Sequence, residues 1–183
     1  MPVQIGAIAH NFSDPMGLLF DCHRRIEMFL RSLQAVAGGG PRLDDERRRA
    51  LELALRYFRE SAPKHTADEE ESLFARLRSV GDEELKTALQ KMEALEHDHR
   101  EADALHRQVD ELGTRWLDAE ELSAVDFAQF RDAVARLAEI YPQHIQVEDQ
   151  VLFPAAERAL SSEQKAEIAK EMAERRSVRL ISI

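Results

Sequence analysis

Four long stretches of this chain carry apolar residues at three- and four-residue intervals, a periodicity that points to packed α-helices and little else. The first opens at Asp14-Pro15, an N-cap followed by proline at the first helical position. Its stripe is Leu19, Cys22/His23, Ile26, Phe29/Leu30 and Leu33, and Gly38-Gly39-Gly40-Pro41 ends it. The second starts from a cap at Asp44 or Asp45 and carries Leu51, Leu55, Phe58, Ala62, His65, Glu69 and Leu73. Pro63 is expected to kink or interrupt it just before His65. After Gly81-Asp82, a third helix is predicted from about Glu83 to Leu112, with Leu85, Leu89, Met92, Leu95, His99, Ala102, Leu105/His106 and Val109 on one side. Gly113 is expected to end it, leaving 114–122 as a loop or short turn with Trp116 and Leu117 tucked onto the core. Ser123-x-x-Asp126 resembles a capping box and opens the fourth, whose stripe is Phe127, Phe130, Val134, Leu137, Tyr141, His144, Glu148 and Val151. Pro142 predicts a local bend there, and Pro154 closes the segment or bends it again. Ser161-x-x-Gln164 caps a short fifth helix to about Arg175.

Such segments, joined by short links, predict an all-α protein: an antiparallel up-down four-helix bundle over 14–160. An extended arm at 1–13 precedes it, and a short helix and tail at 161–183 follow. Only 7 glycines and 6 prolines interrupt 183 residues, which suits helices throughout. The net charge of −10, with no Lys/Arg-rich face, argues against nucleic-acid binding; Arg175, Arg176 and Arg179 are too few to reverse it. No apolar run reaches the roughly 18 residues of a membrane span. The first twelve residues lack the basic start and apolar run of a secretory signal. A single cysteine, Cys22, cannot form an internal disulfide, so the cytoplasm is the expected compartment, with the chain a monomer or weak homodimer.

The one internal echo lies between helices two and four. His65-Thr-Ala-Asp-Glu69, with Leu73-Phe74 behind it, mirrors His144-Ile-Gln-Val-Glu148, with Leu152-Phe153 behind it. A spacing of four puts each histidine and glutamate on one helical face, about one turn apart. Both pairs lie within the apolar stripe, where an ionised glutamate is costly unless paired or bound to a metal. One such motif in a Glu-rich helical chain is weak evidence; two in register with a following Leu-Phe are much stronger. His23 and His99 fall in the stripes of helices one and three, so all four helices present histidine to one core. Imidazoles and carboxylates from facing helices are how bundles build di-iron or di-manganese sites.

The sequence resembles the hemerythrin-like family, the histidine–histidine–glutamate cation-binding domain. The matching pieces are Asp21-Cys22-His23-Arg24-Arg25-Ile26-Glu27, the run from His65 to Phe74, Asp98-His99-Arg100-Glu101-Ala102-Asp103 and the run from His144 to Pro154. They cover roughly 14–160 in the family's order. The resemblance implies two iron ions with an oxo or hydroxo bridge, His23, His65, His99 and His144 as terminal ligands, and Glu69 and Glu148 as bridging carboxylates. Two octahedral irons need twelve positions. The histidines fill four, the carboxylates four and the shared bridge two, which leaves one open position on each iron.

Oxygen-carrying members of the family use a fifth histidine from a His-x-x-x-His on helix three. Here Asp103 stands four residues after His99 and Leu95 four before it, which argues against simple O2 carriage. In helix three, His97 and His99 differ by about 200° around the axis, so only one faces the core, and the stripe favours His99. His106 lies about 10.5 Å further along the axis, too far to share the same iron but able to close an end of the bundle. Glu27, a boundary residue one turn after His23, is within reach of the open position. Tyr141 is core or a hydrogen-bond donor near the site. Glu70 and Asp149 point elsewhere, to solvent or behind the ligands, and Cys22 is a small buried apolar residue.

Two functions are thereby expected. The first is a di-iron protein, not an enzyme, that binds or reacts with O2, NO or peroxide. The alternative is an iron–sulfur cluster repair or iron-donating factor, or an enzyme decomposing peroxide or NO. The cluster-repair version is disfavoured, since about thirteen residues precede helix one where those proteins often carry a cysteine-containing domain. A metal-free helical module is the third and weakest reading.

Overall fold

In a computed structural model, residues 11–80 and 85–178 are described. The helices are α1 (Pro15–Gly38), α2 (Asp45–Glu60), α3 (Ala62–Ala67), α4 (Ala75–Val80), α5 (Lys86–Ala119), α6 (Ala124–Val147), α7 (Phe153–Ala159) and α8 (Ser162–Arg175). Two π-helical turns complete the backbone: π1 (Asp68–Phe74) between α3 and α4, and π2 (Glu148–Leu152) between α6 and α7. Four arms therefore form the bundle: α1, the run α2–α3–π1–α4, α5, and the run α6–π2–α7. Each arm packs on two neighbours, α1 on α2 and α6, and α5 on α2 and α6. The expected antiparallel bundle is what forms. The arm at 1–13 and the break at Gly81-Asp82 lie largely or wholly outside the described residues.

The helix starts are set by side-chain caps. Asp14 accepts from the Gly17 N–H at 2.9 Å, Asp44 from Arg47 at 2.8 Å and Ser123 from Asp126 at 3.1 Å, each satisfying a first-turn donor. Ser161 and Gln164 form a reciprocal capping box on α8. Pro63 sits in the first turn of α3, so it separates α2 from α3 as its missing N–H requires.

One sequence expectation needs correction. Gly113 does not end the third helix; α5 runs on to Ala119, and Trp116 is helical. A Cβ on Gly113 would lie 2.8 Å from a Leu55 methyl, so glycine here permits α2 and α5 to approach closely rather than marking a C-terminus. The actual stop is Glu120, left-handed at φ 62°, whose N–H bonds to the Trp116 carbonyl. Pro142 lies inside the fourth arm's first helix. α6 continues through it, and the departure from α geometry comes six residues on, at π2.

The core divides into two apolar layers. One holds Ile26, Leu33, Leu55, Trp116, Phe130 and Leu137 among others. The other holds Leu19, Leu73, Phe74, Leu95, Phe153 and, from α8, Ile168 and Met172. Each arm passes from one layer to the other, as α1 does between Leu19 and Ile26. His23 lies at that crossing, and the polar residues of the other arms meet it there.

Candidate metal centre

At the crossing between the layers, His23, Glu69 and Glu148 are completely buried, and His65 and His144 nearly so. Every arm contributes: α1 gives His23, α3 and π1 give His65 and Glu69, α5 gives His99, and α6 and π2 give His144 and Glu148. The one-turn spacing works as its geometry requires. His65 Nε2 lies 3.3 Å from Glu69 Oε1, and His144 Nε2 lies 3.1 Å from Glu148 Oε2.

Glu69 is the hinge of the arrangement. Its Oε1 faces His65 Nε2 and, at 3.5 Å, His23 Nε2; its Oε2 faces His99 Nε2 at 3.3 Å. One carboxylate thus faces His65 and His23 with one oxygen and His99 with the other. Glu148 Oε2 lies 3.1 Å from both His23 Nε2 and His144 Nε2. Donor atoms of His23, His65 and Glu69 fall within 4.8 Å of one another, and so do those of Glu69, His99, His144 and Glu148. Glu69 belongs to both groups.

These atoms are close but poorly satisfied. His23 Nε2 and all four oxygens of Glu69 and Glu148 are buried without a hydrogen-bond partner. Leaving such groups unpaired costs about 1–3 kcal/mol each, more when charged. Five converging orphans in one layer fit a cation cradle, because a cation is the partner that nitrogen lone pairs and carboxylates share.

The outward nitrogens support the same orientation. His23 Nδ1 lies 2.7 Å from Asp149 Oδ1, His99 Nδ1 2.7 Å from Glu70 Oε1, and His144 Nδ1 3.3 Å from Asp98 Oδ2. A carboxylate that accepts from Nδ1–H fixes the ring and leaves the Nε2 lone pair facing inward. Of the two places expected for Glu70 and Asp149, solvent or behind the ligands, the second is the one they take, whereas Asp98 has no expected role. Their signal was only adjacency to the echo, in a chain with 35 acidic residues.

The remaining candidates sort clearly. His97 is exposed, whereas His99 turns to the centre. Glu27 stays outside the centre, 3.6 Å from Arg24. Cys22 is buried beside the centre but contributes no atom to either donor group. Tyr141 and His106 bond to each other at 2.8 Å, and both line a cavity of about 160 Å³ that the four site histidines also line. α8 braces the cradle from behind: Arg175 and Arg176 donate to the buried carboxylate of Asp68, next to Glu69, at 2.9 and 2.6 Å.

In the metal-free cradle, protons take the place of cations. Burial pulls the His99 imidazole down, but the facing carboxylates of Glu69 and Glu70 outweigh it and hold the group at about 10. Burial is likewise outweighed at His23, by Asp149, Glu148 and Glu69, and at His144, by Glu148; both are raised. Burial would lift Glu69, yet His65, His23 and His99 hold it well below its usual range. His65 differs: burial dominates and pushes it down to about 4.

A pH dependence follows with a definite sign. A histidine whose folded pKa lies above its ordinary 6.5 adds stability in full below that value and loses it as the pH passes the folded pKa. The chelator-treated protein is therefore expected to unfold at progressively lower urea concentration between pH 6.5 and about 10. A midpoint that stays level or rises over that interval would contradict the proton-for-cation picture.

Fold and site together define a helical-bundle protein built to hold cations in a buried histidine–glutamate cradle. The Hemerythrin HHE cation binding domain model matches residues 14–175, nearly the whole chain, and the protein belongs to that family. A Haemophilus influenzae protein, itself uncharacterized, is 27% identical over 176 residues, covering 92% of this chain and 93% of its own. No solved structure matches. No helix among the described residues is long and apolar enough to cross a membrane.

Proposed function

We propose that the chain holds two iron ions and binds or reacts with O2, NO or peroxide at them. His23 and His65 would serve one ion, His99 and His144 the other, with Glu69 and Glu148 between. The observation that carries this reading is Glu69, whose Oε1 faces His65 and His23 and whose Oε2 faces His99. An iron pair supplies one-electron redox chemistry and open positions for small ligands. Imidazole and carboxylate donors suit iron, and the histidine count leaves those positions free.

The chain's own residues orient and insulate. Asp149, Glu70 and Asp98 hold three rings in place, and the apolar layers on either side keep bulk water from the centre. The cavity of about 160 Å³ beside the histidines has room for a ligand of two or three atoms rather than an organic substrate. That size favours a binder of small oxidants. We further propose a cytoplasmic monomer or weak homodimer, supported by the free buried thiol of Cys22.

The test is to add O2, NO and peroxide separately to the anaerobic, iron-reconstituted protein. The expected result is one stoichiometric spectral change per centre. Sustained turnover of peroxide or NO would make it an enzyme instead, and no response to any of the three would contradict the reading.

A further inference from the structure

The cavity beside the site histidines has a second polar wall. His106 Nε2 and Tyr141 Oη meet there at 2.8 Å, joining α5 to α6. Phe58 stacks on the His106 ring at 4.2 Å between centroids. A second cavity, of about 190 Å³ and lined by Arg59, Arg107 and Asp110, shares His106 and Phe58 with the first. His106 therefore stands in the partition between the inner cavity and a charged outer one.

Counting protons across this pair leaves one donor unspent. Burial lowers the His106 imidazole to about 4, so it is neutral at pH 7 and carries a single N–H. Its Nδ1 is buried and has no partner. With the proton on Nδ1, a donor is orphaned in the core while Tyr141 spends its O–H on Nε2. With the proton on Nε2, that N–H donates to Tyr141 Oη, Nδ1 keeps only a lone pair, and the phenol O–H is free. Orphaned buried N–H groups are rarer than under-satisfied acceptors. The second arrangement is thus the better one, provided the cavity supplies an acceptor for the phenol.

We propose that Tyr141 donates its hydroxyl hydrogen bond to a small acceptor ligand in the inner cavity, and that His106 is the positioning residue holding the phenol oxygen. This rests on the reading of the histidines and glutamates as an iron cradle. The ligand class is a two- or three-atom molecule or anion with an accepting end.

Azide is a suitable probe, titrated into the iron-reconstituted full chain. Tyr141→Phe is expected to keep its iron and bind azide about tenfold more weakly, the equivalent of one hydrogen bond. His106→Leu should show a similar loss. His106→Gln, which keeps a side-chain donor to the phenol, should stay within about threefold of the parent. Nitrogen-15 spectra of the zinc-loaded chain with azide added give a readout independent of iron and of these variants, and should show the His106 proton on Nε2. A proton on Nδ1, or an unchanged azide affinity in iron-loaded Tyr141→Phe, overturns the role of the pair and leaves the iron reading standing. Failure of the parent chain to take up iron overturns both.

Discussion

On the two-ion reading, replacing Glu69 by alanine is expected to strip both ions from the protein. Among the described residues Glu69 is the carboxylate that faces the two halves with separate oxygens, Oε1 toward His65 and His23, Oε2 toward His99. Its loss removes a donor from each ion at once, and affinity should fall by more than the 10–100-fold typical of a supporting residue. Glu70→Gln is the comparison. Glu70 touches only the outer nitrogen of His99, so its change should fall within that 10–100-fold and weaken one ion more than the other. The metal-free alanine variant also tests the proton-for-cation picture. Without Glu69 the raised imidazoles lose a buried counter-charge, and removing one partner of such a pair costs about 3–5 kcal/mol. Competition with a chelator of known iron affinity measures the first effect, and urea unfolding the second. Equal iron retention in Glu69→Ala and Glu70→Gln would show that Glu69 does not join the two halves.

Iron itself is the second large effect. A ligand that binds only the folded state stabilises it by mass action, about 4 kcal/mol per site at a free concentration 1,000 times Kd. A chain of this size shifts by about 2–4 °C per kcal/mol. Anaerobic ferrous iron is therefore expected to raise the Tm of the chelator-treated protein by about 15–30 °C when both sites fill. The physical source is the set of five buried orphan atoms, which have no hydrogen-bond partners without a cation. A shift of less than about 2 °C in excess ferrous iron would mean that the folded cradle does not bind it.

Much of this centre was legible in the sequence because its signals are periodic. The twin four-residue spacings place donors on one face regardless of tertiary detail, and the stripes of α1 and α5 carry His23 and His99 into the same layer. The choice of His99 over His97 follows from the same angular argument. What periodicity cannot show is a change in its own phase. The π turns at Asp68–Phe74 and Glu148–Leu152 each widen the helix at a buried glutamate, and no residue type announces them. Gly113 was misread for a related reason: glycine signals freedom of backbone and closeness of approach alike, and only the packing of Leu55 tells them apart. Glu70 and Asp149 stand out by following the paired glutamates, but Asp98 is hidden among many acidic neighbours, because what distinguishes it is the imidazole it faces. His106 and Tyr141 lie thirty-five residues apart on different helices, and their pairing belongs to the bundle alone.

The central claim is a joined pair of ions rather than a lone cation in a histidine-lined core. It is tested most directly by reconstituting the chelator-treated protein with ferrous iron under anaerobic conditions, desalting it, and measuring iron against protein by elemental analysis. The account requires about two irons per chain, falling together in Glu69→Ala. One iron per chain, or none, would contradict it.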